Sequence, residues 1–150
     1  MKADEFISAI DDEEVIRAIQ KAESRTSGEI RVLVTGRKVE DPVREAWKQF
    51  ARLKMDRTEK RNGVLILIAP VSRSFAVVGD EGIHRCCEDS FWRTLASRLA
   101  EGFKAGGYTG ALVRAIEDSG LELSRHFPGG GENKNELSDE VVRDRHGAGE

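Results

Sequence analysis

Asn62-Gly63-Val64-Leu65-Ile66-Leu67-Ile68-Ala69-Pro70-Val71-Ser72-Arg73-Ser74-Phe75-Ala76-Val77-Val78-Gly79-Asp80-Glu81-Gly82 is the stretch that decides how this chain folds. A continuous apolar run bounded by turn residues, then a polar break and a second β-branched run, predicts two adjacent strands buried on both faces. With Pro70 to Arg73 as the loop, Ala69 faces Ser74. The pairing then runs back until Asp80 and Glu81 stand opposite Gly63 and Asn62, which puts two carboxylates at one edge of a sheet.

Upstream of the hairpin, Ile30-Arg31-Val32-Leu33-Val34 reads as a strand because β-branched residues dominate it. Asp41-Pro42 starts a helix, since Asp caps exposed N–H groups and Pro suits the first helical position with φ already set. Val43, Ala46, Trp47, Phe50 and Leu53, with the stem of Lys54, share one face of that helix, which is expected to reach about Arg57. Strand, helix and strand in this order predict parallel neighbours joined by a right-handed crossover, and the hairpin adds an antiparallel third strand. An earlier helix is expected after Asp11, where Val15, Ile16, Ile19 and Ala22 recur at helical spacing. There Asp11 caps, Glu14 completes a capping box, and Ile10 and Val15 have the spacing of a hydrophobic staple.

Downstream, Ile83, Phe91, Trp92, Leu95 and Leu99 belong to a third helix, preceded by a short turn around His84 to Cys87 and ended by Gly102 to Gly107. Leu112, Ala115, Ile116, Ser119, Gly120, Leu123 and Phe127 give a fourth, whose small residues allow close packing. Pro128-Gly129-Gly130-Gly131 stops it. The chain is therefore expected to be one α/β domain over residues 1–127, with a mixed sheet and about four helices. Residues 128–150 are expected to be a polar, mobile tail, from which Leu137, Val141 and Val142 could dock a short piece on the body.

Composition bounds the function. At 150 residues and 39% hydrophobic, the chain can bury roughly two-thirds of its unfolded surface without staples. The net charge of −3 disfavours a general polyanion binder, and the nine bases against five acids from Arg37 to Arg61 read as a solvated helix face, so no nucleic acid is expected. The first residues, Met1-Lys2-Ala3-Asp4-Glu5-Phe6, lack the pattern of a signal peptide, and no window approaches a membrane span. A cytoplasmic monomer is the expectation. Cys86 and Cys87 are adjacent and cannot form a loop-closing disulfide framework, and His84-Arg85-Cys86-Cys87 lacks four local zinc ligands, so reduced thiols are expected.

Because the first two strands should run parallel, their starting ends share an edge, and the antiparallel third strand finishes there. Glu29, Asn62, Asp80 and Glu81 converge on that edge. Oxygen-only ligands suit a hard cation, Ca²⁺ or Mg²⁺, with waters completing the shell and His84 able to join or tune it. The edge is opposite the crevice that open α/β sheets ordinarily use. Spacing alone favours a plainer reading: Asp80 caps the following turn, Glu29 and Glu81 are solvated, and Asn62 makes the turn. Gly106-Gly107 reads as an interhelical turn, and Gly129 to Gly131 follow a helix rather than open one. Ser72 and Ser74 have no nearby base, and His84, His126 and His146 are scattered, so no catalytic residue is assigned. Trp47 and Trp92 occupy core-like helical positions.

Several segments together resemble the TPM domain family over about Asp11 to Phe127. They are Thr26-Ser27-Gly28-Glu29-Ile30-Arg31-Val32-Leu33-Val34, Arg61-Asn62-Gly63-Val64-Leu65-Ile66-Leu67-Ile68-Ala69, Arg73-Ser74-Phe75-Ala76-Val77-Val78-Gly79-Asp80-Glu81-Gly82-Ile83 and Gly102-Phe103-Lys104-Ala105-Gly106-Gly107-Tyr108. The resemblance implies a three-layer α/β/α sandwich with Rossmann-like topology. It also implies divalent-cation binding, mostly calcium, in loops at one sheet edge, and so raises Glu29, Asn62, Asp80 and Glu81 as ligands. This chain departs from the family at Arg61, where Asp commonly precedes Asn-Gly, and at Gly79-Asp80-Glu81-Gly82-Ile83, where a Gly-Tyr-Gly-Leu-Glu-Gly-like turn is common. Many relatives carry a signal peptide and a membrane helix, so the resemblance is to the smaller soluble branch. The function expected is a non-catalytic module that binds calcium weakly, or magnesium, and engages a protein partner in stress or protein maintenance. A metal-dependent phosphatase, as proposed for plant relatives, and a metal-free scaffold are the alternatives.

Overall fold

The computed structural model describes residues 9–129 and 141–144. In chain order the elements are α1 (Asp12–Glu23), β1 (Glu29–Thr35), α2 (Pro42–Arg52), β2 (Gly63–Ala69), β3 (Ser74–Gly79), α3 (Glu81–His84), α4 (Asp89–Lys104), α5 (Tyr108–His126) and β4 (Val141–Asp144). Single 3₁₀ turns lie at Met55–Arg57 and Pro70–Ser72.

The hairpin has the register its sequence predicts, with Ala69 opposite Ser74 and Val64 opposite Gly79. β1 lies parallel to β2, from Glu29 opposite Gly63 to Val34 opposite Ile68. The sheet order is β3-β2-β1-β4. β4 comes from the segment expected to be a polar tail: Val141 and Val142 pair parallel with Val32 and Leu33 of β1. Docking by these two valines is thus observed, whereas Leu137 lies outside the described residues.

Strand alternation divides the core in two. Ile30, Val32 and Val34 of β1, Val64, Ile66 and Ile68 of β2, and Val77 of β3 pack with α1, α4 and α5 through residues such as Ile19, Leu99 and Ile116. Leu33, Leu65, Leu67, Ala76 and Val78 point to the other face, where Ala46 and Phe50 of α2 and Met55 cover them. Helices on both faces of a mixed sheet make the three-layer α/β/α sandwich. The short α3 holds Ile83 apart from the third helix expected to contain it, and brings the helices among the described residues to five.

Local chemistry sets the boundaries. Asp11 Oδ1 accepts the Glu14 N–H at 3.2 Å, as a capping residue should. The Asp11 N–H donates to Thr109 Oγ1 of α5 at 3.1 Å, so a neighbouring helix receives the bond that a capping box would give to Glu14. Asp41 caps α2, with Pro42 at its first position. That helix stops at Arg52, short of the expected Arg57, because Lys54 turns left-handed (φ +59°) and the next turn drives Met55 fully into the core. α4 closes with a Schellman arrangement: Gly106 takes φ +89°, its N–H donates to Phe103 O, and the Gly107 N–H donates to Gly102 O. Gly120 lets α5 approach α1, since a Cβ there would meet the Ala22 Cβ at 2.7 Å.

Trp92 is buried as expected, but Trp47 is not a core residue. It is 42% exposed and packs at a tilt against Phe50, with ring centroids 5.2 Å apart and the planes at 59°. Val43 beside it is 49% exposed. α2 is the lone helix on its face of the sheet among the described residues, so only Ala46, Phe50 and the partly buried Leu53 of its apolar stripe find a covering neighbour.

Candidate functional site

The sheet edge assembles from backbone bonds first. The Asp80 N–H donates to Gly63 O at 2.9 Å, the Gly82 N–H to Arg61 O at 2.8 Å, and the Glu29 N–H to Asn62 O at 3.3 Å. The 58–62 loop, the start of β1 and the end of β3 are therefore laced together, and the first turn of α3 sits against the loop. Gly82 makes this approach feasible, because a Cβ there would lie 2.3 Å from Lys60 O and 2.7 Å from Arg61 O. Of the expected site residues, Glu29, Asn62 and Asp80 are buried and Glu81 is half exposed. Glu29 is thus not the solvated acid of the plainer reading. Asn62 donates from Nδ2 to Ser27 Oγ at 3.3 Å.

Asp80 does cap α3: its Oδ1 accepts the Glu81 N–H at 2.7 Å. The same carboxylate receives both arms of Arg61, Nε to Oδ2 at 2.8 Å and Nη2 to Oδ1 at 3.0 Å. This two-pronged pair is the strong form of a guanidinium–carboxylate contact. Arg61 holds φ +52°, and its Nη1 also lies 3.6 Å from Glu81 Oε2. Asp80 raises the already high pKa of Arg61, through the hydrogen bond first and its charge second. Arg85 completes the edge by donating to Glu81 Oε1 at 2.8 Å.

These residues do not present a ready-made ion shell. The carboxylates of Glu29, Asp80 and Glu81 are not gathered within 4.8 Å of one another, and Arg61 occupies Asp80 where a cation would sit. His84 does not join the edge; its Nδ1 lies 3.3 Å from Asp89 Oδ1. Sequence reasoning missed two further buried groups. Glu23 Oε2 accepts the Ile30 N–H at 2.9 Å, and Thr26 donates to Phe127 O while accepting the Gly28 N–H at 3.0 Å. Both tie the start of β1 to the ends of α1 and α5. The signal available for them was the polar pair itself within an otherwise short connection.

Elsewhere, Ser72 Oγ accepts the Val39 N–H at 2.6 Å and Ser74 Oγ donates to Ser72 O at 3.3 Å, so both hydroxyls serve the turn. Cys86 and Cys87 are free, with sulfurs 3.7 Å apart. His126, from the far end of α5, joins them, and one ligand atom from each of the three lies within 4.8 Å of the others. The Cys87 thiol is pushed up to about 12, by burial first and then by Cys86. His146 lies outside the described residues.

A mixed sheet sandwiched between helices, with the 58–62 loop, the start of β1 and the end of β3 laced together at one edge, defines the class as an open-sheet α/β/α domain. A family model described as the TPM domain matches residues 1–120, and the chain belongs to that family. Among solved structures, it is similar to the BA42 protein from the psychrophilic bacterium Bizionia argentinensis sp. nov., determined by NMR. The identity is 36%, the TM-score 0.79, and the match covers 89% of this chain and 94% of that one. No curated protein matches the chain. Among the described residues, no helix is long and apolar enough to cross a membrane.

Proposed function

We propose that the chain is a non-catalytic protein-binding module whose edge of Glu29, Asn62, Asp80 and Glu81 takes calcium, and magnesium less well, only by displacing Arg61 from Asp80. The observation that carries this reading is the environment of Asp80. A carboxylate 3% exposed needs a positive partner, and Arg61, whose side chain is 44% exposed, is a partner that solvent can reclaim. A divalent ion with waters is the other cation able to satisfy the same oxygens, and loops with two or three carboxylates suit an affinity of about 10⁻⁴ to 10⁻³ M. The protein-binding half is supported by Val43 and Trp47, exposed one turn apart on α2 beside the edge strand β3.

The test is a calcium titration followed by amide chemical shifts, with Asp80→Ala in parallel. Saturable shifts at residues 28–29, 61–63 and 79–84, absent in the variant, are expected. A second reading, a metal-free scaffold, is favoured by the completeness of the Arg61 clamp. It predicts flat titrations for both proteins.

A further inference from the structure

We propose that Cys86, Cys87 and His126 form a second, chemically separate site that binds a thiophilic divalent cation of the zinc class, with water as fourth ligand. Sequence spacing offers only His84 as a nitrogen partner for the adjacent thiols, and the fold sends that residue to Asp89 instead. It supplies His126 from the last residue of α5, far away in sequence. Two thiolates about 2.3 Å from a tetrahedral zinc stand about 3.8 Å apart. The two sulfurs here are 3.7 Å apart, so both can reach one ion with little movement. Such a separation is also an ordinary contact between thiols, and it is the imidazole beside them that turns the pair into a ligand set.

Donor chemistry decides the ion. Sulfur and imidazole nitrogen select zinc over calcium or magnesium, which want oxygen. Two thiolates and a neutral imidazole also balance a divalent charge. The supports differ in stiffness. Cys87 is anchored in the core, Cys86 is held by its contact with Ile83 O at 3.4 Å, and His126 closes a helix whose Leu123 is buried. Cys86 and His126 face solvent, so an ion and its water have a way in. Glu122, one turn before His126, lines the same cleft as both cysteines, with its carboxylate 3.3 Å from Arg125 Nη1.

The test uses the full chain, reduced with a phosphine, titrated with Co²⁺ while thiolate-to-cobalt charge transfer is followed, then back-titrated with Zn²⁺. One equivalent of cobalt should produce the band and one of zinc should remove it, while excess calcium leaves it intact. Cys86→Ser should weaken the band, and both Cys86→Ser and His126→Ala should lower zinc affinity more than tenfold, since even outer-shell partners are worth 10- to 100-fold. Both side chains are exposed, and circular dichroism checks that the variants fold. Absence of the band, its removal by calcium, or zinc affinity unchanged by either substitution would overturn the proposal.

Discussion

Asp80 answers three demands at once: it ends β3, caps α3 and holds Arg61. Asp80→Ala should therefore lower stability by about 1–2 kcal/mol in chemical denaturation, mostly from the lost cap, because a half-exposed Arg61 regains water. Gly82→Ala tests the approach behind that clamp. A Cβ 2.3 Å from Lys60 O forces the 58–62 loop away, and a loss of about 1–3 kcal/mol is expected, with the Arg61 and Asn62 amides shifting most by NMR. The cap was legible, since an Asp after a strand and before a helical pattern has one common use. The burial of Glu29 was not, because an isolated acid at a strand start reads as solvated. Nor was the Arg61 clamp, which needs a left-handed residue and a reach between segments that no periodicity reports.

At the scale of elements, the helices pack through small residues, and two glycines of one helix make a controlled comparison. Gly120→Ala would put a Cβ 2.7 Å from that of Ala22 and should destabilise by about 1–3 kcal/mol as α1 and α5 are forced apart. Gly110→Ala, with open space around its Cβ, should stabilise by about 0.5–1 kcal/mol through helix propensity. Opposite shifts in the melting temperature would establish that contact, not backbone freedom, governs the first site. The small-residue stripe at Ser119 and Gly120 announced this packing in the sequence. The end of α2 was hidden, because Leu53 and Lys54 continue the helical pattern while burial of Met55 requires the chain to turn. Trp47 was misread for a related reason: periodicity shows which residues share a face, not how much of that face a neighbour covers.

For the whole molecule, the mixed sheet followed from the hairpin and the β-α-β order, but β4 was visible only as two valines in a polar segment. A strand that short gains its stability from the β1 edge it covers, which local sequence does not display. A chain ending at residue 129 should unfold about 1–3 kcal/mol more easily, with hydrogen exchange accelerated at Val32 to Thr35. Family membership and fold then leave one question open to direct measurement, which is whether the edge exchanges Arg61 for an ion. Calorimetric calcium titration of the wild type and Arg61→Asn answers it, because Asn tolerates the left-handed backbone, removes the competing charge and adds an oxygen. The account predicts weak binding in the wild type and about tenfold tighter binding in Arg61→Asn. Equal affinities, or no heat from either protein, would contradict it.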